Sequence, residues 1–182
     1  MEPRKVEDRS QTYWVIEPKY TSFEFSVKNL LFFKVKGKFS DFLGNVVIDE
    51  GDIRRSSVEV AIKAPSISTG IKRRDDHLRS ADFLDVGKHP LISFQSTGVE
   101  KGRDRDTLRV TGKLTVKGFS KELVLDIEET DYSRSPQGDE VAYFVAQTRI
   151  DRFDLGVGYG RGLIGRTLKV TVQAQATKQS PP

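Results

Sequence analysis

The chain contains no cysteine. That excludes disulfides, thiolate metal sites and thiol nucleophiles. Histidine is nearly as scarce, with two residues, His77 and His89, so acid–base chemistry has few imidazoles to draw on. No G-x-S-x-G elbow marks a nucleophilic serine. Asp75, Asp76 and His77 are consecutive, and consecutive side chains fan out instead of converging on one ion. No catalytic residue, metal or cofactor is therefore expected. Long apolar runs are also missing. None approaches the roughly 18 residues of a membrane helix, so stable membrane insertion is not expected. The start, MEPRKVEDRS, mixes both signs and lacks an apolar h-region. No signal peptide is read there, which makes the expected compartment cytoplasmic, or periplasmic for a processed terminus. Charge of one sign is not segregated either. Net charge is +4 from 30 basic and 26 acidic residues, and clusters such as Lys72-Arg73-Arg74 have acids beside them. A nucleic-acid binder would separate the signs, so no nucleic-acid partner is expected.

What the chain does have is alternation. Phe23, Phe25 and Val27 share one parity while Glu24, Ser26 and Lys28 take the other. Val58, Val60 and Ile62 repeat the pattern, as do Leu108, Val110, Leu114 and Val116. Val141, Tyr143 and Val145 are more mixed, since Ala142, Phe144 and Ala146 are apolar too. Leu168, Val170, Val172, Ala174 and Ala176 close the series. Period two means strands with one buried face. Turn chemistry falls between the runs, at Asp49 to Asp52, Glu100 to Gly102, Lys117-Gly118 and Ser135 to Gly138. About eight to ten strands at this spacing predict a barrel or sandwich. The 182 residues fit one domain. Residues 1–12 and 177–182 read as flexible ends.

Two stretches break the alternation. SISTGIKRRDDHLRSADFLDVGKHP predicts a helical excursion between the strands at Val60 and Phe94. Thr69 is placed to cap a helix, a second helical stretch is read over Arg74 to Phe83, and Pro90 stops it. Asp75 or Asp76 is expected to help cap the helix and to pair with Arg74 or Lys72. The other stretch is GYGRGLIGRT, Gly158 to Thr167. Its GRGLIG fits the dinucleotide fingerprint, and GRGLIGRT misses a P-loop by Arg166 in place of Lys. Both motifs need a following helix whose N-terminus holds phosphate. Here RTLKVTVQAQA alternates as a strand, so the run reads as a flexible loop at a barrel rim, with glycines where the backbone bends sharply.

Eleven of the seventeen aromatics are phenylalanine, and most lie in or beside apolar runs. A barrel of about eight strands either fills with side chains or holds one small ligand, and the residues leave both open. Assembled in order, TSFEFSVKNLLFFKVKGKFSDFLGNVVID, the helical segment, LRVTGKLTVKGFSKELVLDI, TRIDRFDLGV and LKVTVQAQA closely resemble the YceI-like family. The most specific parts are R-D-x-H-L at Arg74, Asp75, His77 and Leu78, then Asp82-Phe83, then G-x-L-T-x-K-G at Gly112 to Gly118. The resemblance spans roughly Tyr13 to Ala176.

That resemblance implies an all-β fold: an extended antiparallel lipocalin-like barrel of about eight strands with a short helical excursion. It also implies a non-catalytic binder or carrier of a polyisoprenoid, such as an isoprenoid quinone or polyprenyl chain. The expected lining is Phe23, Phe25, Phe33, Phe39, Val60 and Ile62, followed by Ile67, Leu78, Phe83 and Phe94, and by Leu114, Phe144 and Phe153. Arg74, Asp75 and His77 are the headgroup candidates near the rim, and segment 69–85 is read as lining or gating the mouth. Each CH2 moved out of water contributes about 0.8 kcal/mol, so a long tail needs few polar contacts. Two other readings stay open: an enzyme acting on such a lipid through Arg74, Asp75 and His77, and a filled barrel serving as a stress-response module. Barrel edges or a rim also leave room for a homodimer.

Overall fold

The computed structural model of the chain describes residues 10–29 and 31–181, with the backbone alone at 129 and 130. In chain order the strands are β1 (Gln11–Ile16), β2 (Ser22–Lys28), β3 (Lys34–Phe39), β4 (Phe42–Asp49), β5 (Ser57–Lys63) and β6 (Ile67–Ser68). The helix α1 (Lys72–Arg79) follows, then β7 (Leu91–Lys101), β8 (Thr107–Val116), β9 (Phe119–Arg134), β10 (Glu140–Asp151) and β11 (Thr167–Gln179).

Eight of these strands form a ring in the order β1-β4-β5-β7-β8-β9-β10-β11, which the β1–β11 pairing closes. Every pairing in it is antiparallel. β2, β3 and β6 extend the same wall at one end. The early part of β11 pairs with β2, Lys169 opposite Ser26. Its last part pairs with β1, Ala176 opposite Ile16. β1 and β2 are thus two lengths of one barrel position, interrupted at Pro18–Tyr20. Pro18 has no N–H to give a ladder, so the interruption falls there. β9 has 16 residues, roughly 50 Å at about 3.3 Å per residue, which makes the barrel tall.

The alternation read from sequence sets which side chains turn inward. Two irregularities reset it. Between Ser96 and Gly98 the β7–β8 register shifts, so Ile92 and Phe94 before it and Val99 after it are all buried despite opposite parity. A second shift lies at Tyr143/Phe144 in the β9–β10 pair. From Phe144 on, the even residues of β10 are the inward set. Val145 belongs to the other parity, and the shift accounts for the mixed pattern of that strand.

The strand at the C-terminal end runs past Ala176. Thr177, Lys178 and Gln179 pair with Val15, Trp14 and Tyr13 and so help close the barrel. Polar side chains hid this from the apolar pattern, because ladder hydrogen bonds need no apolar residue. Gln11 and Thr12 likewise pair with Asp49 and Ile48. Residues 1–9 lie outside the described residues.

Candidate functional site

The barrel is hollow along its axis. Two adjoining chambers occupy it, a wide one of about 390 Å³ and a narrow one of about 170 Å³. Phe23, Ile62, Ile92, Leu114, Ile150 and Val170 border both, so the chambers share a waist. The wide chamber, and the two taken together, fall in the range of ligand-binding cavities.

The narrow chamber is walled by the inward residues of successive strands: Val58 and Val60 of β5, Phe94 of β7, Val110 of β8, Leu125 of β9 and Phe144 of β10. Ala146 and Ala174 keep its diameter open, since short side chains stand where longer ones would meet. Ser56 and Thr148 are the hydroxyls on its wall. The Ser56 hydroxyl accepts from the Asp49 amide at 2.9 Å, and Thr148 donates to the Val124 carbonyl at 3.0 Å.

The wide chamber has Phe23, Phe25, Val27, Val35 and Phe39 along β2 and β3. Gly37 sits opposite Phe25 in the β2–β3 register, and a side chain there would collide with the Phe25 ring. Its roof is not a strand. Leu78 of α1, Phe83 and Leu84 after it, and Val157, Tyr159 and Ile164 of the glycine-rich loop cover it.

Buried charge holds that roof in place. Arg152 is 2% exposed. Its Nε donates to the Gly165 carbonyl at 2.9 Å, Nη1 to the Val157 and Tyr159 carbonyls at 2.7 Å each, and Nη2 to the Ile164 carbonyl at 3.1 Å. Burial lowers the guanidinium from its ordinary value, the Asp151 charge opposing this, yet an arginine stays protonated. The loop read as flexible is therefore tied to a buried cation. Its left-handed turns fall at Gly160 (φ 68°) and Gly162 (φ 80°), where a Cβ is disfavoured. A strand follows it, so the loop lacks the helix N-terminus that a nucleotide phosphate requires.

The helical excursion is anchored by the R-D pair of its motif. Asp75 is 6% exposed and accepts from the Thr69 amide at 2.7 Å and the Thr69 hydroxyl at 2.5 Å. Those bonds, the hydroxyl foremost, hold the carboxyl below the ordinary range of an aspartate. Arg74 donates to the Thr69 hydroxyl at 2.7 Å and to the Thr69 carbonyl at 3.0 Å. Thr69 was expected to cap the helix; Ile71 holds the N-cap position, and Thr69 instead joins Arg74 to Asp75. Asp76 pairs with Lys72 at 2.6 Å.

Polar groups on the wide chamber's wall belong to Glu24, Asn29, Arg74, His77, Arg152 and Tyr159. The His77 Nε2 lies 2.8 Å from an Asp82 carboxylate oxygen. Its ring stands edge-on to Phe83 and Tyr159, with centroids 5.0 and 4.9 Å away. The side chain of His77 is 44% exposed and Tyr159 is 47% exposed, so these chamber-lining residues mark its mouth.

Among the expected contacts, Phe23, Phe25, Phe39, Ile62, Ile67 and Leu114 line the wide chamber, together with Arg74, His77, Leu78 and Phe83. Val60, Phe94 and Phe144 line the narrow one. Three do not face the hollow. Phe33 is 66% exposed on the outer tip of the β2–β3 hairpin. Asp75 is turned to Thr69. The Phe153 ring lies outside, with the Arg152, Arg161 and Arg166 guanidiniums 4.7, 4.6 and 5.3 Å from its centroid. Arg152 and its loop were missed. The signal available was an arginine interleaved with Ile150, Phe153 and Leu155 immediately before the glycines.

The model of the YceI-like domain matches residues 14–176. The chain belongs to the YceI-like family. A UPF0312 protein of Vibrio campbellii is 36% identical over 147 residues, 79% of this chain and 77% of the relative. Among solved structures, BcnA of Burkholderia cenocepacia superposes with a TM-score of 0.79 at 20% identity, covering 89% of this chain and 99% of BcnA. A polyisoprenoid-binding domain from Saccharophagus degradans superposes with a TM-score of 0.67 at 12% identity, covering 91% and 98%. These structures share the fold of this barrel. Among the described residues no helix is long and apolar enough to cross a membrane.

Proposed function

We propose that the protein is a non-catalytic carrier that shelters the tail of a polyisoprenoid lipid, an isoprenoid quinone or polyprenyl chain, along the barrel axis. The observation that carries this reading is the pair of joined apolar chambers, whose polar groups gather at one end. A prenyl tail matches such a space because it is linear, flexible and apolar. Burying its CH2 groups supplies the affinity, at about 0.8 kcal/mol each before ordering costs. The headgroup sits by Arg74, His77 and Tyr159, with α1 and the glycine-rich loop over the first isoprene units. The fold shared with the polyisoprenoid-binding domain of Saccharophagus degradans supports the same class of ligand. Organic extraction of protein purified from cells, followed by mass spectrometry, tests it: one prenyl lipid per chain is expected, and a lipid-free protein whose melting temperature ignores added prenyl lipids contradicts it.

The His77–Asp82 pair at the mouth favours a second reading, an enzyme acting on the headgroup. It requires turnover that His77→Ala abolishes while lipid stays bound.

A further inference from the structure

We infer that the tip of the β2–β3 hairpin and the glycine-rich loop beside it form a docking surface for an anionic lipid bilayer. Leu31, Phe32 and Phe33 are 73%, 87% and 66% exposed. The Asn29 side chain accepts from the Leu31 amide at 3.1 Å and the Phe33 amide at 2.9 Å, fixing the turn. Phe32 adopts φ 61°, a left-handed conformation that a phenylalanine rarely takes. The turn thus holds three apolar side chains out in water. Leu163 of the glycine-rich loop, 62% exposed, extends the patch. The two elements are joined, since Asn29 bridges Ile164 and the Gly165 amide donates to the Lys28 carbonyl at 2.7 Å. Contiguous exposed apolar surface of this kind marks an interaction site.

Charge chooses the occupant. Behind the tip, Lys28 lies opposite Lys34 and Lys36 opposite Ser26, while Ser26 on its other side faces Lys169. All four lysines are exposed. Among the described residues none of them pairs with a carboxylate. Like charges on neighbouring strands repel, and a negatively charged plane relieves them. An apolar wedge backed by lysines suits the headgroup boundary of an anionic leaflet. The patch shares its loop with Tyr159, which lines the chamber mouth, so docking would bring the mouth to the lipid.

Flotation of the full chain, without added ligand, with vesicles of phosphatidylcholine or of an equal phosphatidylcholine–phosphatidylglycerol mixture tests this. Binding to the mixed vesicles alone is expected, weakened when salt rises from about 0.1 to about 1 M and the screening length falls from about 10 to about 3 Å. The variant Leu31→Ser/Phe32→Asn/Phe33→Thr, in which Asn accepts the left-handed turn, should lose roughly tenfold or more of that binding. Lys34→Glu/Lys36→Glu should lose a comparable share at low salt only. No flotation with either vesicle, or flotation that the tip variant leaves intact, overturns the inference. So does a dimer in analytical ultracentrifugation that the tip variant abolishes, because the patch then belongs to a second copy. Lipid extraction from the tip variant separates this from the carrier reading, which predicts unchanged loading.

Discussion

The narrow chamber is walled by Val58, Val60, Phe94, Val110 and Leu125, side chains that turn inward because the strands carrying them alternate. The wide chamber is half strand and half cover, roofed by α1 and a glycine-rich loop that follow no repeating pattern. The first is held mainly by the ring of backbone ladders and the packing of its apolar walls. The second depends on side chains that grip backbone: Arg152 on four carbonyls, and Arg74 with Asp75 on Thr69. Polar chemistry is gathered where a headgroup would lie and is nearly absent where a tail would run.

The largest effect expected is that of Arg152→Met. Four carbonyls lose a charged donor that is itself buried, so urea unfolding should show a loss on the order of 3 kcal/mol or more, with tail binding lost as the roof loosens. A change no larger than about 0.5 kcal/mol, as at a neutral surface site, would break the contrast between the chambers. Ala146→Phe should act on the narrow chamber instead. Filling it costs about 1 to 3 kcal/mol of packing strain and should reduce affinity for long prenyl chains roughly tenfold or more while short chains still bind. Displacement titrations with a chain-length series would measure this, and equal loss for all lengths would mean that the tail does not pass the waist.

Asp75→Asn should cost about 1 to 3 kcal/mol at neutral pH, since a charge-assisted acceptor is replaced in a buried spot. Its carboxyl titrates below the ordinary range when folded, so its contribution is complete above an unfolded value of about 3.9 and is lost as pH falls through the folded one. The gap between wild type and variant should therefore narrow in acid. A gap that is constant from pH 7 to pH 2, measured by denaturant unfolding, would contradict the assignment of Asp75 as an anchor. The smallest effect on stability is expected at His77→Ala. The His77–Asp82 contact is half-exposed, so removing it should change stability by less than about 1 kcal/mol. Headgroup preference should change all the same, read by competition between quinone and polyprenol ligands. Unchanged preference would remove His77 from the headgroup site.

The strand faces that wall the narrow chamber were legible in the sequence, though not the hollow between them, because period two in Val58–Ile62, Leu108–Val116 and Leu168–Ala176 reports a side of a strand directly. So was the fold class, and with it the family, through R-D-x-H-L and G-x-L-T-x-K-G. Parity could not foresee the shifts at Ser96/Gly98 and Tyr143/Phe144, since an inserted residue leaves no compositional trace. Phe33 and Phe153 were misplaced for a related reason. A phenylalanine in an apolar run looks the same whether it points into a hollow, into water or under guanidiniums. Arg152 was passed over because its partners are carbonyls, which no sequence pattern displays. Asp75 was drawn toward the ligand by its motif, whereas its neighbours Thr69 and Arg74 use it to fasten α1.

The most direct test is a crystal structure of the protein carrying the lipid with which it copurifies. A prenyl tail threading from the His77–Tyr159 mouth past Phe23 and Leu114 into the chamber between Phe94 and Phe144 is the expected result. Electron density for side chains closing that axis, or for a ligand lying wholly outside it, would contradict the account.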